Sequence, residues 1–156
     1  MPTRTSAIRR IVVGVDGSEP SAAAVKWAVR LAKELGPQLI AVYAVDIPAY
    51  FPEPYGLPVQ FDTEWRAAVK EEFESKWCKP LKVAGIRYRT VMEDGRAASV
   101  INDVADRENA DMVVVGRHGR GGVAEVLLGS TSHELVLHSK HPVLVISAKS
   151  SNKTAA

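Results

Sequence analysis

The chain has 156 residues and carries 20 Lys and Arg against 18 Asp and Glu, a net charge of +2 scattered without runs; this fits one domain with one core and argues against nucleic acid as the main partner. Cys78 is the single cysteine, which excludes an intramolecular disulfide and any Cys-x-x-Cys metal or redox motif and suits a reducing cytosol. No window approaches the roughly 20 apolar residues of a membrane span, and the apolar run in "MPTRTSAIRRIVVGV" is too short for the hydrophobic region of a signal peptide, so a soluble, cytoplasmic protein is expected.

"IRRIVVGVD" (8–16) is a β-branched run bounded by turn residues and predicts a buried strand. In "GSEPSAAAVKWAVRLAKELG", Ala22, Val25, Ala28, Val29, Ala32 and Leu35 keep the period of an amphipathic helix. Ser18 can cap its start, Pro20 fits its first turn, and Gly36 before Pro37 can end it. "QLIAVYAVD" (38–46) predicts a second buried strand. Pro48, Pro52, Pro54 and Pro58 make 47–58 an irregular loop carrying Tyr50, Phe51 and Tyr55, long enough for a lid or a contact surface. Trp65, Val69, Phe73 and Trp77 mark a longer helix running to about Lys79, with a kink at Pro80. "IRYRTVMED" (86–94) alternates, as a less buried strand near a sheet edge does. Then come a helix over 96–110, a buried strand "DMVVVG" (111–116), a glycine-rich stretch, a helix "STSHELVLHSK" (130–140), a strand "HPVLVIS" (141–147) and a polar, frayed tail from Ala148.

Continuous apolar strands alternating with helices imply a single-domain α/β fold, an open five-stranded parallel sheet, doubly wound, with its core over about 8–147. Ligands of such sheets bind beyond the carboxyl ends of the strands, where the strand order reverses. "GVDGS" after the first strand and the glycine stretch after the fourth both lie at carboxyl ends. If those strands are neighbours, the two loops face each other across one crevice.

The stretch "VVVGRHGRGGVAEVLLGSTSHE" (113–134) is not a Walker A loop, because Gly116 and Gly121 are followed by Gly122 and no lysine. A dinucleotide fingerprint fits loosely as Gly119-x-Gly121-x-x-Ala124, but "PVLVISAK" lacks the acidic ribose ligand that should follow. Glycines nevertheless let backbone N–H groups approach an anion, and Thr131 with Glu134 fits a capping box that would set Gly129, Ser130 and the first helical amides at the positive end of the last helix. Arg117 and Arg120 can add charge-assisted contacts to a phosphate.

One pattern matches at every fixed position: G-x2-G-x9-G-[ST], as Gly116, Gly119, Gly129 and Ser130. With "IVVGVDGS", "LLGSTS" and "HPVLVIS", it makes residues 8–147 resemble the universal stress protein family in its nucleotide-binding branch. The resemblance implies a Rossmann-like sheet of the adenine nucleotide alpha hydrolase kind with strand order 3-2-1-4-5, and ATP between Asp16 and Gly116–Ser130, with Mg²⁺ through the phosphates. It implies that Asp16, with Gly14 and Gly17 close by, meets ribose or adenine; the lesser alternative on local sequence is an Asx turn or a helix cap. It also implies adenine recognition through the backbone at Ala44, slow hydrolysis or self-phosphorylation at most, and a homodimer through the edge strand Pro142–Ser147. Arg117 stands where a small hydroxyl residue is frequent in the family, and the proline-rich loop is unusual for it.

Among the histidines, His133 and His138 do not share a helix face and His138 and His141 straddle a helix end, while His118, inside the glycine stretch, could approach a phosphate but reads first as a solvent-facing loop residue. Cys78 reads as a buried structural thiol, and neither a Ser-His-Asp set nor a carboxylate pair stands out. Two other functions fit the same fold: a nucleotide-independent interaction protein recruiting partners through 47–58, and a cyclic AMP sensor using the same crevice.

Overall fold

The computed structural model describes residues 7–46, 63–118 and 128–148. The proline-rich loop, Gly119, Arg120 and the polar tail beyond residue 148 lie outside them. Strands β1 (Arg10–Gly14), β2 (Gln38–Val45), β3 (Tyr88–Asp94), β4 (Met112–Gly116) and β5 (Val143–Ile146) pair in parallel in the order β3-β2-β1-β4-β5. The expected sheet and strand order are therefore present, with β3 at one edge.

The period of two along each strand divides the core between two faces. Ile11, Val13, Leu39, Ala41 and Val114 pack on one face against Ala24, Val25 and Ala28 of α1 (Glu19–Leu35). Val12, Ile40, Val42, Val113 and Val115 pack on the other against Ile101 and Val104 of α4 (Ala97–Glu108) and Leu135 of α5 (Ser130–His138). Burial on both faces is why β1, β2 and β4 read as unbroken apolar runs.

α1 begins and ends where its sequence directs. The Ser18 hydroxyl accepts the Ser21 N–H at 3.3 Å, Pro20 occupies the first turn, and Gly36, at φ 75°, returns its N–H to the Ala32 carbonyl at 2.9 Å. Only a residue without a Cβ takes that left-handed φ without strain.

The next helical stretch departs from expectation. α2 (Thr63–Glu72) passes into a π-helical turn at Phe73–Trp77, and α3 (Lys79–Val83) follows. The interruption therefore precedes Pro80 and the helix continues past it. Cys78 donates its N–H to Phe73, five residues back, at 3.0 Å, which widens the turn by one residue. Pro80 falls in the first turn of α3, where a missing N–H has no intrahelical partner to lose. The widened turn sets Phe73 and Trp77 around Tyr43 of β2, with ring centroids 5.7 and 5.1 Å away.

Polar contacts fix the far end of the sheet. One carboxylate oxygen of Asp111, just before β4, accepts the N–H groups of Arg9 and Arg10 at 2.7 and 3.0 Å. These two bonds hold the carboxyl below its ordinary pKa. Arg89 of β3 pairs with Glu108, and Glu93 with Arg107, laying α4 along β3.

Cys78 is fully buried, and burial, with the nearby Glu74 carboxylate second, pushes its thiol up to about 12. A buried thiol that stays protonated is a poor nucleophile. Ellman's reagent at pH 8 should leave native Cys78 unmodified and modify it fully in denaturant; fast modification of the folded protein would contradict this packing.

Candidate functional site

β1 and β4 are neighbours in the sheet, and the chain leaves them toward opposite faces, into α1 and α5. This is the reversal of strand order that opens a crevice at the carboxyl ends of a doubly wound sheet. The loop after β1 and the described ends of the glycine stretch come together there.

After β1, Asp16 forms the Asx turn: its Oδ1 accepts the Ser18 N–H at 2.9 Å, while its own N–H donates to the Ser21 hydroxyl at 3.0 Å. The Ser21 hydroxyl in turn points at the Gly14 carbonyl, 3.5 Å away. Gly17 takes the left-handed region at φ 77°. A Cβ on Gly14 would lie 2.9 Å from Ile101 Cδ1 and 3.0 Å from Val115 Cγ1, so the missing side chain makes room for α4 and β4.

After β4, a Cβ on Gly116 would stand 2.6 Å from the backbone carbon of Pro20. Gly116 is thus where the first turn of α1 rests on β4. Arg117 is pinned through its backbone: its N–H donates to Ile146 at 2.7 Å, and its carbonyl accepts the Gly129 N–H and the Ser132 hydroxyl, each at 2.8 Å. Arg117 and Gly129 form the neck of the glycine loop; Gly119 and Arg120 lie within the undescribed part of it.

The start of α5 differs from the capping box expected at Thr131 and Glu134. Gly129 holds the cap position, the helix begins at Ser130, and no side chain among the described residues caps it. Glu134 instead pairs with Arg96 at the start of α4, 3.0 Å away, and so is turned from the role of a cap. The Gly129 N–H, expected to face an anion, is spent on closing the neck. The N–H groups of Ser130, Thr131 and Ser132 have no acceptor among the described residues, and at the positive end of a helix they are ready donors to an anion.

Ala44 sits on β2 opposite Glu93 of β3. The Val42 carbonyl accepts Val15 N–H on the β1 side and the Val45 carbonyl accepts Gly95 N–H on the β3 side. By strand parity Ala44 turns its backbone groups toward the β1 side, beyond the last β1 residue paired with β2, Gly14. The structure therefore brings Gly14, Asp16, Gly116, Arg117, Gly129, Ser130 and Thr131 to one end of the sheet, with Ala44 beside them.

His118 is not the solvent-facing residue expected. It directly follows the pinned Arg117 and is half-buried, with Nδ1 sealed from solvent and without a hydrogen-bond partner among the described residues. His141 lies at the other end of its strand and meets Asp106 of α4 at 2.7 Å, which with Lys140 holds that carboxyl below its ordinary pKa. Sequence reasoning passed over Ser21 and Ser132, which are the buried polar side chains among the described residues. Their signal was weak: each is an ordinary serine in the first turn of a helix.

Comparison with known proteins follows the same geometry. The model of the Universal stress protein family matches residues 7–147. Universal stress protein MJ0531 of Methanocaldococcus jannaschii is 33% identical over 142 residues, covering 88% of this chain and 81% of that protein. Among solved structures, hypothetical protein MJ0577 superposes with a TM-score of 0.73 at 24% identity over 90% of this chain and 96% of that one. A universal stress protein in complex with cAMP gives a TM-score of 0.68 at 28% identity over 91% of this chain and 98% of that one.

Because Gly116 abuts backbone and not the tip of a flexible side chain, Gly116→Ala should lower the free energy of unfolding by about 1–3 kcal/mol, as overpacking does. Urea denaturation with no change in midpoint would show that α1 does not press on β4 there.

Proposed function

The chain belongs to the universal stress protein family, and on that premise we propose that it is a cytoplasmic, ATP-binding protein of the stress response, with slow hydrolysis or none. The adenosine lies between Asp16 and Ala44, and the phosphates reach Gly116, Gly119 and the start of α5, with Mg²⁺ held through them. Arg117 and Arg120 add positive charge. The observation that carries this reading is the uncapped start of α5, where Ser130, Thr131 and Ser132 offer consecutive N–H groups at the crevice mouth. A relative in complex with cAMP favours an adenine nucleotide and brings cyclic AMP forward as the second reading. Consecutive amides beside a glycine-rich loop suit a run of phosphates, which supports ranking ATP ahead of cyclic AMP.

The test uses a substitution that removes an amide without straining the helix. Gly129 has φ −69° and ψ 168°, which suits a residue before proline, and Ser130 is the first helical position. Ser130→Pro should therefore keep the thermal midpoint while weakening ATP binding roughly ten-fold, the loss of one hydrogen bond to a charged group. Ser130→Ala, which keeps the amide, is the control. Calorimetric titration with ATP, ADP and cyclic AMP, each with and without Mg²⁺, reads the result; no binding by the wild-type protein would overturn the nucleotide reading.

We also propose a homodimer through the Pro142–Ser147 edge. β5 has β4 on one side only, its Val143, Leu144 and Val145 are half-buried, and Val136 and Leu137 of α5 are more than half exposed. The carbonyls of Pro142 and Ile146 face β4, so by parity Val145 directs its N–H outward. Val145→Pro should leave the β4 pairing intact and yield a monomer by light scattering. A wild-type monomer, or a dimer that survives this substitution, would remove β5 as the interface.

A further inference from the structure

We propose that Ser132 and Ser21 are positioning residues for the nucleotide, each a hydroxyl clip that holds one loop of the crevice against the helix that follows it. This inference rests on the nucleotide reading above. The two serines occupy the same place in their helices: Ser21 is the third residue of α1 and Ser132 the third of α5. Their relative exposures are 4% and 2%, so neither presents its hydroxyl to a ligand in solution.

The bonds fasten chain to chain. Ser132 Oγ lies 2.8 Å from the Arg117 carbonyl and 3.1 Å from the Gly129 carbonyl, so its one proton serves the two strands of the neck. Ser21 Oγ accepts the Asp16 N–H and lies within reach of the Gly14 carbonyl. One clip fixes where β4 ends relative to the open amides of α5; the other fixes Asp16 relative to α1. Since Gly116 rests on Pro20, the two clips together set the width between the nucleoside end and the phosphate end of the site.

Removing the Ser132 hydroxyl should not collapse the fold. The Arg117 carbonyl keeps the Gly129 N–H, and the Gly129 carbonyl keeps the His133 N–H at 2.9 Å, so no buried acceptor is orphaned. What is lost is the second hold on the neck. The amides of α5 then gain freedom that a bound phosphate must take away, which weakens binding without loss of any contact to the ligand.

The experiment joins amide exchange on the ligand-free protein to ATP titration, for wild type, Ser132→Ala, Ser132→Thr and Ser21→Ala. Ser132→Ala should speed exchange at the Gly129 amide and weaken ATP binding, each about ten-fold, with the thermal midpoint nearly unchanged. Ser132→Thr, which restores the hydroxyl, should recover both. Ser21→Ala should speed exchange at Asp16 and weaken ATP binding in the same way. Unchanged exchange at Gly129 in Ser132→Ala overturns the clip. Faster exchange with wild-type ATP affinity overturns its positioning role alone. A wild-type protein that binds no ATP removes the nucleotide reading and this inference with it.

Discussion

The pairing of β1 with β4 is the contact on which the remainder of the architecture depends. Parallel neighbours cannot be joined by a hairpin, so each must hand its chain to a crossover. Here α1 crosses on one face and α5 on the other. The sheet is thereby covered on both sides, and the chain is forced apart at one end of the two central strands. The crevice is what remains when two right-handed connections leave adjacent strands in opposite directions. Its position is a property of topology before it is a property of any residue.

Residues then decide what the crevice can hold. Gly116 lets α1 approach β4, and Gly14 gives room to α4, so both glycines tighten the scaffold around the opening. The Arg117–Gly129 neck closes the base of the glycine loop and uses the amide of Gly129 in doing so. Donors are left at Ser130, Thr131 and Ser132, one residue further along than the motif suggests. Among the glycines of this motif, Gly116 thus serves packing and Gly129 closes the neck.

Much of the fold was legible in the sequence, because its strongest signals are local. The β-branched runs, the period of α1, the Ser18 cap and the Gly36 stop each act within a few residues, and the structure contains them all. What was not legible depended on partners distant in sequence. The capping box at Thr131 and Glu134 was lost because Arg96, 38 residues away, takes the Glu134 carboxylate. The break before Pro80 arose from the packing of Phe73 and Trp77 on Tyr43, which a helical period cannot announce. Ser21 and Ser132 were missed for the same reason: their importance lies in burial and in the carbonyls and amides they meet. Asp16, for which local sequence allowed a turn, does form that turn.

The Asp111 carboxylate that receives the Arg9 and Arg10 amides joins chain positions 102 and 101 residues apart. The two strands it brings into line, β1 and β4, therefore cannot meet until the chain through β4 has left the ribosome, and the closure of so long a loop is slow. During synthesis β1 and β2 can pair early, with an open margin where β4 will later insert. The crevice thus belongs among the last parts of the molecule to form, and a chain ending before residue 112 would expose that margin to other nascent chains.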